Sequence, residues 1–483
     1  MKSEEFRKNG HALVDWMADY MDTVENFDVR SQVGPGDILS VLDDEPPFEG
    51  EPMEDIFDDF KEKIIPGMTH WQHPSFFAYF PANSSPPSVL AEMLTSTLGA
   101  QCMLWQTSPA ATEMETRITG WLQKITGLPT DLHGVIQDSA SSATLCALLT
   151  AREKATDWRT NKEGMNSLSS SLIVYTSEEA HSSTEKGAKI AGFGKDSVRL
   201  IRTDNQFKMC PEALRRTVAE DISNGHTPAC VVASMGTTGV GATDPLKAIG
   251  KVCKEYDIFL HVDAAWAGSA LILSEERWMA EGIEMADSIV FNPHKWLLTN
   301  FDCSAHYVKQ PELLIRTLSI LPEYLKSREQ DHVIDYRDWS VPLGRRFRAL
   351  KLWFVIRSYG VKGLQKIIRN HIKLAEYAAT WIDEDPEFEL VSPRSLSLLN
   401  FRFRPKNITK SGDIDLLNED LLNRLNDSGR VYFTQNRVRG KFTIRWSIGQ
   451  TNTQLKHVKN AWSLIKRVSS NLNQIDSVTI NRD

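Results

Sequence analysis

Between about residue 85 and residue 370 the sequence alternates short runs of branched apolar residues with stretches of helical spacing. This alternation limits the possible folds more than any other feature of the chain. The runs are "SLIVYTS" (171–177), "ACVVASMG" (229–236), "IFLHVDAAW" (258–266), "SIVFNPHKW" (288–296) and "SAHYV" (304–308). They read as strands. Helical patterns such as 243–255 separate most of them. The layout is α/β, with a large and mainly parallel sheet.

The flanks differ in character. Residues 4–26 show helical spacing, with Phe6, Leu13, Trp16, Met17, Tyr20, Met21 and Val24 on one face. A linker, "VGPGDILSVLDDEPPFEGEP", and a second helix near 53–65 lead to the aromatic cluster "HWQHPSFFAYFPANSSPP". Early helices with open apolar faces pack on a partner, so residues 1–84 read as an N-terminal helical dimerisation arm. Residues 85–374 form the large α/β domain. Residues 375–483 form a smaller α+β domain, with antiparallel strands in "FELVSPRSLSLLNFRFR" and "RVYFTQNRVRGKFTIRWSIG" and a helix at 452–468.

Composition narrows the function classes. With 41% hydrophobic and 24% charged residues, the 483-residue chain is that of a soluble globular protein. A net charge of −8 gives no reason to expect nucleic acid or an anionic membrane as partner. No run approaches the length of a membrane span. "MKSEEFRKNG" lacks the apolar centre of a signal peptide, and a cytoplasmic location is expected. The sequons at Asn83, Asn407 and Asn426 are then expected to stay unglycosylated. Six scattered cysteines form no CxxC pair, so neither a zinc site nor a disulfide framework is indicated. No metal is expected.

In open α/β sheets, ligands bind beyond the carboxyl ends of the strands. Lys295 follows one such strand between two apolar runs. Burial there would disfavour the ammonium, and a neutral amine is a nucleophile toward carbonyls. Asp263 ends another strand. It could cap a helix, but Ala264, Ala265 and Ala267 leave room beside it for a flat group, and a pyridinium nitrogen would satisfy its charge. His181 lies in a strand-to-helix turn, where Ser182 and Glu185 have capping-box spacing. It reads either as a turn histidine or as a flat ring beside a ligand. "DSASSAT" (138–144) feeds a helix N-terminus and offers N–H donors to a phosphate. "MGTTGVGATD" (235–244) is a second small-residue loop, without the glycine order or lysine of a nucleotide site. Together these groups fit pyridoxal 5′-phosphate (PLP).

"HVDAAWAGSA", "FNPHKWLLTNFDCSA", "PEYLKS" and "LGRRFRALKLWFVIRSYGVKGLQ" closely resemble the PLP-dependent aromatic L-amino acid decarboxylases, of the group II decarboxylase family. The resemblance runs from "NGHALVDWMADYM" to the end of the chain. It implies a fold-type-I, aspartate aminotransferase-like homodimer with active sites shared between subunits. It makes Lys295 the cofactor-bearing lysine, Asp263 the ring-nitrogen partner and His181 the group stacked on the ring. Ala140, Ser141, Thr238, Ala265 and Asn292 would hold the cofactor, with His294 next to it. Trp71, Tyr79, Phe80 and Pro81, with His181, would form the substrate pocket, and Gly344 its floor. Asp138 stands where animal relatives have glycine, and is expected to cap the helix. Met103 and Leu104 replace an aromatic side chain of those relatives.

The implied activity is decarboxylation of aromatic L-amino acids to arylalkylamines and carbon dioxide. Tyr324, in the polar stretch 321–339, would protonate the substrate carbon. Relatives with phenylalanine at that position are aldehyde synthases, which oxidise instead, so Tyr324 favours simple decarboxylation. A catalytically silent PLP-binding relative is the other alternative, opposed by the intact Lys295, Asp263, His181 and Tyr324. Glycine at 344 accompanies indole substrates in plant relatives and serine accompanies phenols. Tryptophan or 5-hydroxytryptophan is therefore expected, with dopa, tyrosine and phenylalanine behind. Gly344 also reads as a turn glycine needed for backbone shape.

Overall fold

The computed structural model describes residues 1–320 and 332–479. The chain divides into two compact units, one of residues 82–373 and 392–398, the other of residues 1–81, 374–391 and 399–483.

The first unit is built on a seven-stranded sheet. Its strands are β1 (His133–Gln137), β2 (Leu172–Ser177), β3 (Val198–Ile201), β4 (Thr227–Ser234), β5 (Phe259–Asp263), β6 (Ser288–Phe291) and β7 (Ser304–Val308). Their order is β1-β7-β6-β5-β4-β2-β3. The pairs β2–β3, β2–β4, β4–β5 and β5–β6 are parallel. β7 runs antiparallel to both β6 and β1. Every residue of β2, β6 and β7 is buried, as expected of strands covered on both faces. Part of that cover is the alanine-rich helix Ala140–Ala155. Its Ala147, Leu148 and Ala151 pack with Val174 of β2 and Val232 of β4. Small residues let the helix lie close, and each buried valine contributes about 1.5–3 kcal/mol.

Sequence patterning did not single out β1 or β3. β3 ("VRLI") is a half-exposed edge strand, and its Arg199 is paired with Asp221 at 2.7 Å. β1 ("HGVIQ") carries too few branched residues to stand out. The run 288–296 is strand only to Phe291, because Pro293 begins the four-residue helix Pro293–Trp296. The connection from β5 to β6 is made of 3₁₀ segments, Ala267–Ile272 and Ser274–Ala280, rather than an α-helix.

The second unit holds a four-stranded sheet of β8 (Phe388–Leu390), β9 (Leu398–Phe403), β10 (Thr434–Val438) and β11 (Lys441–Ser447), in the order β10-β11-β9-β8. β8–β9 and β10–β11 are antiparallel. Val438 pairs with Lys441, so the hairpin turn is Arg439–Gly440. Both turn residues have positive φ, 49° and 81°, which suits the strand twist. Helices Ser411–Asp427 and Leu455–Thr479 contribute Leu421 and Ile465 to a core with Phe77, Phe401, Phe403 and Trp446.

Residues 1–81 join this unit through backbone hydrogen bonds. Phe77 N–H donates to Tyr432 O (2.9 Å), and Ser447 N–H donates to Phe77 O (3.1 Å). Helix Ser3–Thr23 buries none of its residues, and Phe6 is 65% exposed. Trp16 stacks on Tyr20 and meets Phe57 and Phe60, and Tyr20 meets Phe27 and His70. Among the described residues no helix is long and apolar enough to cross a membrane. All six cysteines are free, five of them buried.

Candidate active site

Because β2, β4, β5 and β6 are mutually parallel, their carboxyl ends share one edge of the sheet. A cavity of about 200 Å³ opens there. Lys295, Asp263, His181, Asn292 and Ala265 line it. Asp263 is the last residue of β5 and pairs in register with Ser234 and Val290 on the neighbouring strands. Its Oδ1 accepts the N–H of Ala265 at 3.0 Å, which fixes the carboxylate at the cavity wall. Lys295 is carried past the end of β6 on the helix Pro293–Trp296. It is half-buried, between the buried Trp296 and the strand residue Phe291. The Asn292 N–H donates to Ala265 O (2.9 Å), so the two strand ends are tied directly together.

His181 stands four residues beyond β2. Its Nδ1 accepts the Ser183 N–H at 3.2 Å and lies 2.8 Å from the Ser183 hydroxyl. That acceptance leaves the ring proton on Nε2. Desolvation holds the His181 pKa below its ordinary value, with Lys295 lowering it further and Asp263 opposing. The helix Ser183–Ile190 begins here as expected, but Ser182 makes no side-chain capping bond; the histidine ring accepts the first N–H, that of Ser183.

The rest of the lining includes a set of small hydrogen-bonding residues. Ser139, Ala140 and Ser141 lie at the start of helix Ala140–Ala155, Ser234 ends β4, and Thr237 and Thr238 follow it. Backbone N–H groups at a helix start with several hydroxyls form an anion cradle. Gly236 has φ +81°, and a Cβ there would stand 2.5 Å from Ala267 Cβ, so the loop after β4 needs glycine. Trp266 Nε1 donates to the Gly236 carbonyl (2.7 Å), and the buried Asp244 carboxylate accepts the Ser234 N–H (2.7 Å). The loop is thereby held from both sides.

Several expected residues stand elsewhere. His294 does not line the cavity. Its Nδ1 accepts the Cys303 N–H at 2.9 Å, and burial lowers its pKa to about 3, so it is a neutral buried ring that shapes the turn. Asp138 does not cap the helix. Ser139 does, accepting the Ser142 N–H at 3.2 Å, and its hydroxyl also approaches Asp138 at 3.3 Å. Gly344 is exposed and is not among the cavity's lining residues. Trp71, Tyr79, Phe80 and Pro81 belong to the other unit. There Trp71 stacks on Tyr79 with centroids 5.7 Å apart, and the Tyr79 and Tyr432 hydroxyls are 3.3 Å apart. Tyr324 lies outside the described residues.

Residue-by-residue reading of the chain did not name Ser139, Ser183, Ser234, Gly236, Thr237 or Trp266 as cavity residues. The loops "DSASSAT" and "MGTTGVGATD" did mark three of them, Ser139, Gly236 and Thr237, as small residues after a strand. A cleft of about 600 Å³ in the second unit, beside His73 and His457, has no lysine among its lining residues.

The donor set of the strand-end cavity fits PLP. Lys295 would offer an amine to the aldehyde, Asp263 a carboxylate to the ring nitrogen, and the small residues of the lining an anion cradle. Comparison with known proteins agrees. Residues 35–404 match the pyridoxal-dependent decarboxylase conserved domain. The chain is 43% identical to tyrosine decarboxylase 4 of Petroselinum crispum over 96% of its length and 93% of the relative's. It is also 43% identical to the phenylacetaldehyde synthase of Arabidopsis thaliana, covering 98% and 97% of the two chains. The crystal structure of Oryza sativa TDC with PLP and tryptamine superposes with a TM-score of 0.94 at 35% identity, over 98% of this chain and 99% of that one. The chain belongs to the pyridoxal-dependent decarboxylases, carboxy-lyases of fold type I whose cofactor is PLP.

Proposed function

We propose that the protein decarboxylates aromatic L-amino acids, tryptophan and 5-hydroxytryptophan foremost, to the arylalkylamine and carbon dioxide. The observation that carries this reading is the convergence of Lys295, Asp263 and His181 on one cavity at the sheet edge. When bound, PLP supplies an electron sink for the pair left behind by the departing carboxylate. Lys295 would hold the cofactor at its aldehyde carbon. Asp263 favours a protonated ring nitrogen, and a carboxylate about 4 Å from that charge would contribute roughly 4 kcal/mol at an effective dielectric near 20. His181 supports the ring face, and Ala140, Ser141 and Thr238 hold the phosphate. Trp71, Tyr79, Phe80 and Pro81 orient the substrate so that its carboxylate leaves perpendicular to the ring plane. Tyr324 delivers the proton that replaces the carboxylate. The working form is a cytoplasmic homodimer whose subunits share the active sites.

The preference for indoles rests on Gly344. Its φ lies outside the positive range, so backbone shape does not require glycine. A Cβ at this position would stand 3.2 Å from Gln101 Nε2, so any larger residue must displace that side chain. The proposed preference is one of volume: with no side chain at 344 to intrude, a bicyclic ring keeps its room in the site. Carbon dioxide release should be measured with tryptophan, 5-hydroxytryptophan, dopa, tyrosine and phenylalanine, for the wild type and Gly344→Ser. Indoles should lead in the wild type and lose roughly tenfold to a hundredfold in kcat/KM in the variant, with tyrosine and dopa losing less. Equal losses across the panel would remove the basis of the indole preference. Absence of carbon dioxide with every aromatic substrate would overturn the function itself.

A further inference from the structure

The helix that carries Lys295 is a single turn, Pro293–Trp296. A turn this short closes too few hydrogen bonds of its own to define its position, and the carbonyls at its end need partners from elsewhere. The structure supplies them from one segment, residues 83–88. Asn83 N–H donates to His294 O at 2.9 Å. The Asn83 side-chain amide donates to the next carbonyl, that of Lys295 itself. The Ser85 hydroxyl donates to Leu298 O at 2.7 Å. Ser88 Oγ accepts the Asn300 N–H at 2.8 Å and donates to the Asn300 side-chain oxygen. Asn83, Ser85 and Ser88 are 1%, 3% and 0% exposed, so water does not compete for these bonds. A buried Asn83 is also no acceptor for a glycan, although "NSS" is a sequon.

We infer that Asn83 is a positioning residue for the cofactor lysine: its two donors grip the peptide on either side of Lys295 and set the direction in which the lysine side chain leaves the backbone. This rests on the reading of Lys295 as the residue that holds PLP. A lysine side chain has four rotatable bonds, so a displaced backbone spreads its amine over many positions. Fixing the backbone is what lets the amine return to the same carbon after each turnover. The neighbouring bonds from Ser85 and Ser88 hold the segment that follows the turn, at Leu298 and Asn300.

The test uses purified holoenzyme of the wild type, Asn83→Ala and Asn83→Asp. Two quantities are read besides activity: the rate at which PLP is lost on dialysis, and the visible circular dichroism per bound PLP, which reports how the ring is held. Asn83→Ala removes one donor and should release PLP roughly threefold to tenfold faster. Asn83→Asp sets a carboxylate oxygen against a carbonyl oxygen and should release it faster still. Both should change the dichroism per cofactor. Wild-type release rates and dichroism in both variants would overturn the proposal. So would a fall in thermal unfolding temperature with those two readings unchanged, since that is what a merely structural residue gives. If neither Asn83 variant folds, Ser85→Ala is measured in the same way, and wild-type values there overturn the clasp. Borohydride labelling of the wild type separates the two readings. A label on Lys295 with unaffected variants defeats only the role of Asn83, whereas a label on another lysine defeats the Lys295 assignment and this proposal together.

Discussion

The cofactor cavity and the aromatic segment 71–81 belong to different units and are built by opposite means. The cavity consists of strand ends, single polar groups and small residues, each held by short-range bonds such as Ala265 N–H to Asp263 and Ser183 N–H to His181. The aromatic segment consists of rings on rings, Trp71 on Tyr79 and on Phe76, with Tyr432 edge-on to Phe76 and Tyr79. Its backbone is fixed by distant partners. The buried Arg445 donates to the Tyr79 carbonyl, and Tyr79 itself holds a positive φ of 49°. Burial, followed by the Tyr79 hydroxyl, pushes the Tyr432 phenol up to about 12, so Tyr432 stays neutral. On the proposed reading, the chemistry common to all substrates falls to the cavity, and the choice among substrates to the aromatic segment together with Gly344.

The largest expected effect is that of Asp263→Asn. Loss of roughly 4 kcal/mol of ring-nitrogen pairing corresponds to about a thousandfold in kcat. The loss should be uniform across tryptophan, tyrosine and dopa in steady-state assays. A loss that differs strongly between substrates would place substrate choice in the cavity and break the contrast.

Next is Tyr324→Phe. A general acid contributes about a hundredfold or more, so amine formation should fall by that factor. With no acid to protonate the carbon, oxygen competes for it, and aldehyde, ammonia and hydrogen peroxide should appear. Undiminished amine with no peroxide would show that another group is the acid.

The smallest effect is expected from Tyr79→Leu, which removes the ring that Trp71 stacks on. It should change the ratio of kcat/KM between indole and phenol substrates by about tenfold, while PLP stays bound as in the wild type. An unchanged ratio, or loss of the cofactor, would end the division of labour drawn here.

How much of this was legible in the sequence follows the same division. Lys295, Asp263 and His181 could be placed because each lies within five residues of a strand end, and a strand end fixes which edge of the sheet a residue joins. The same reasoning marked the Ser139–Ser141 and Thr237–Thr238 loops as small-residue turns. It failed at Asp138, where the outcome depends on which of two adjacent side chains a particular N–H selects. Ser142 takes Ser139 in place of Asp138. Spacing cannot decide such contests. The grouping of residues 1–81 with the C-terminal strands was also out of reach, since it rests on backbone bonds such as Phe77 to Tyr432, which leave no trace in side-chain pattern. Strand β3 was missed because an edge strand with an ion-paired arginine does not read as apolar.

The central claim is that Lys295 carries the cofactor at this sheet edge, and reductive trapping tests it most directly. The PLP-loaded protein should be yellow. Borohydride should bleach it, fix one pyridoxyl group per chain, and leave that group on the peptide containing Asn292-Pro293-His294-Lys295. A pyridoxyl group on any other lysine, or a protein that stays colourless with PLP present, would contradict the account.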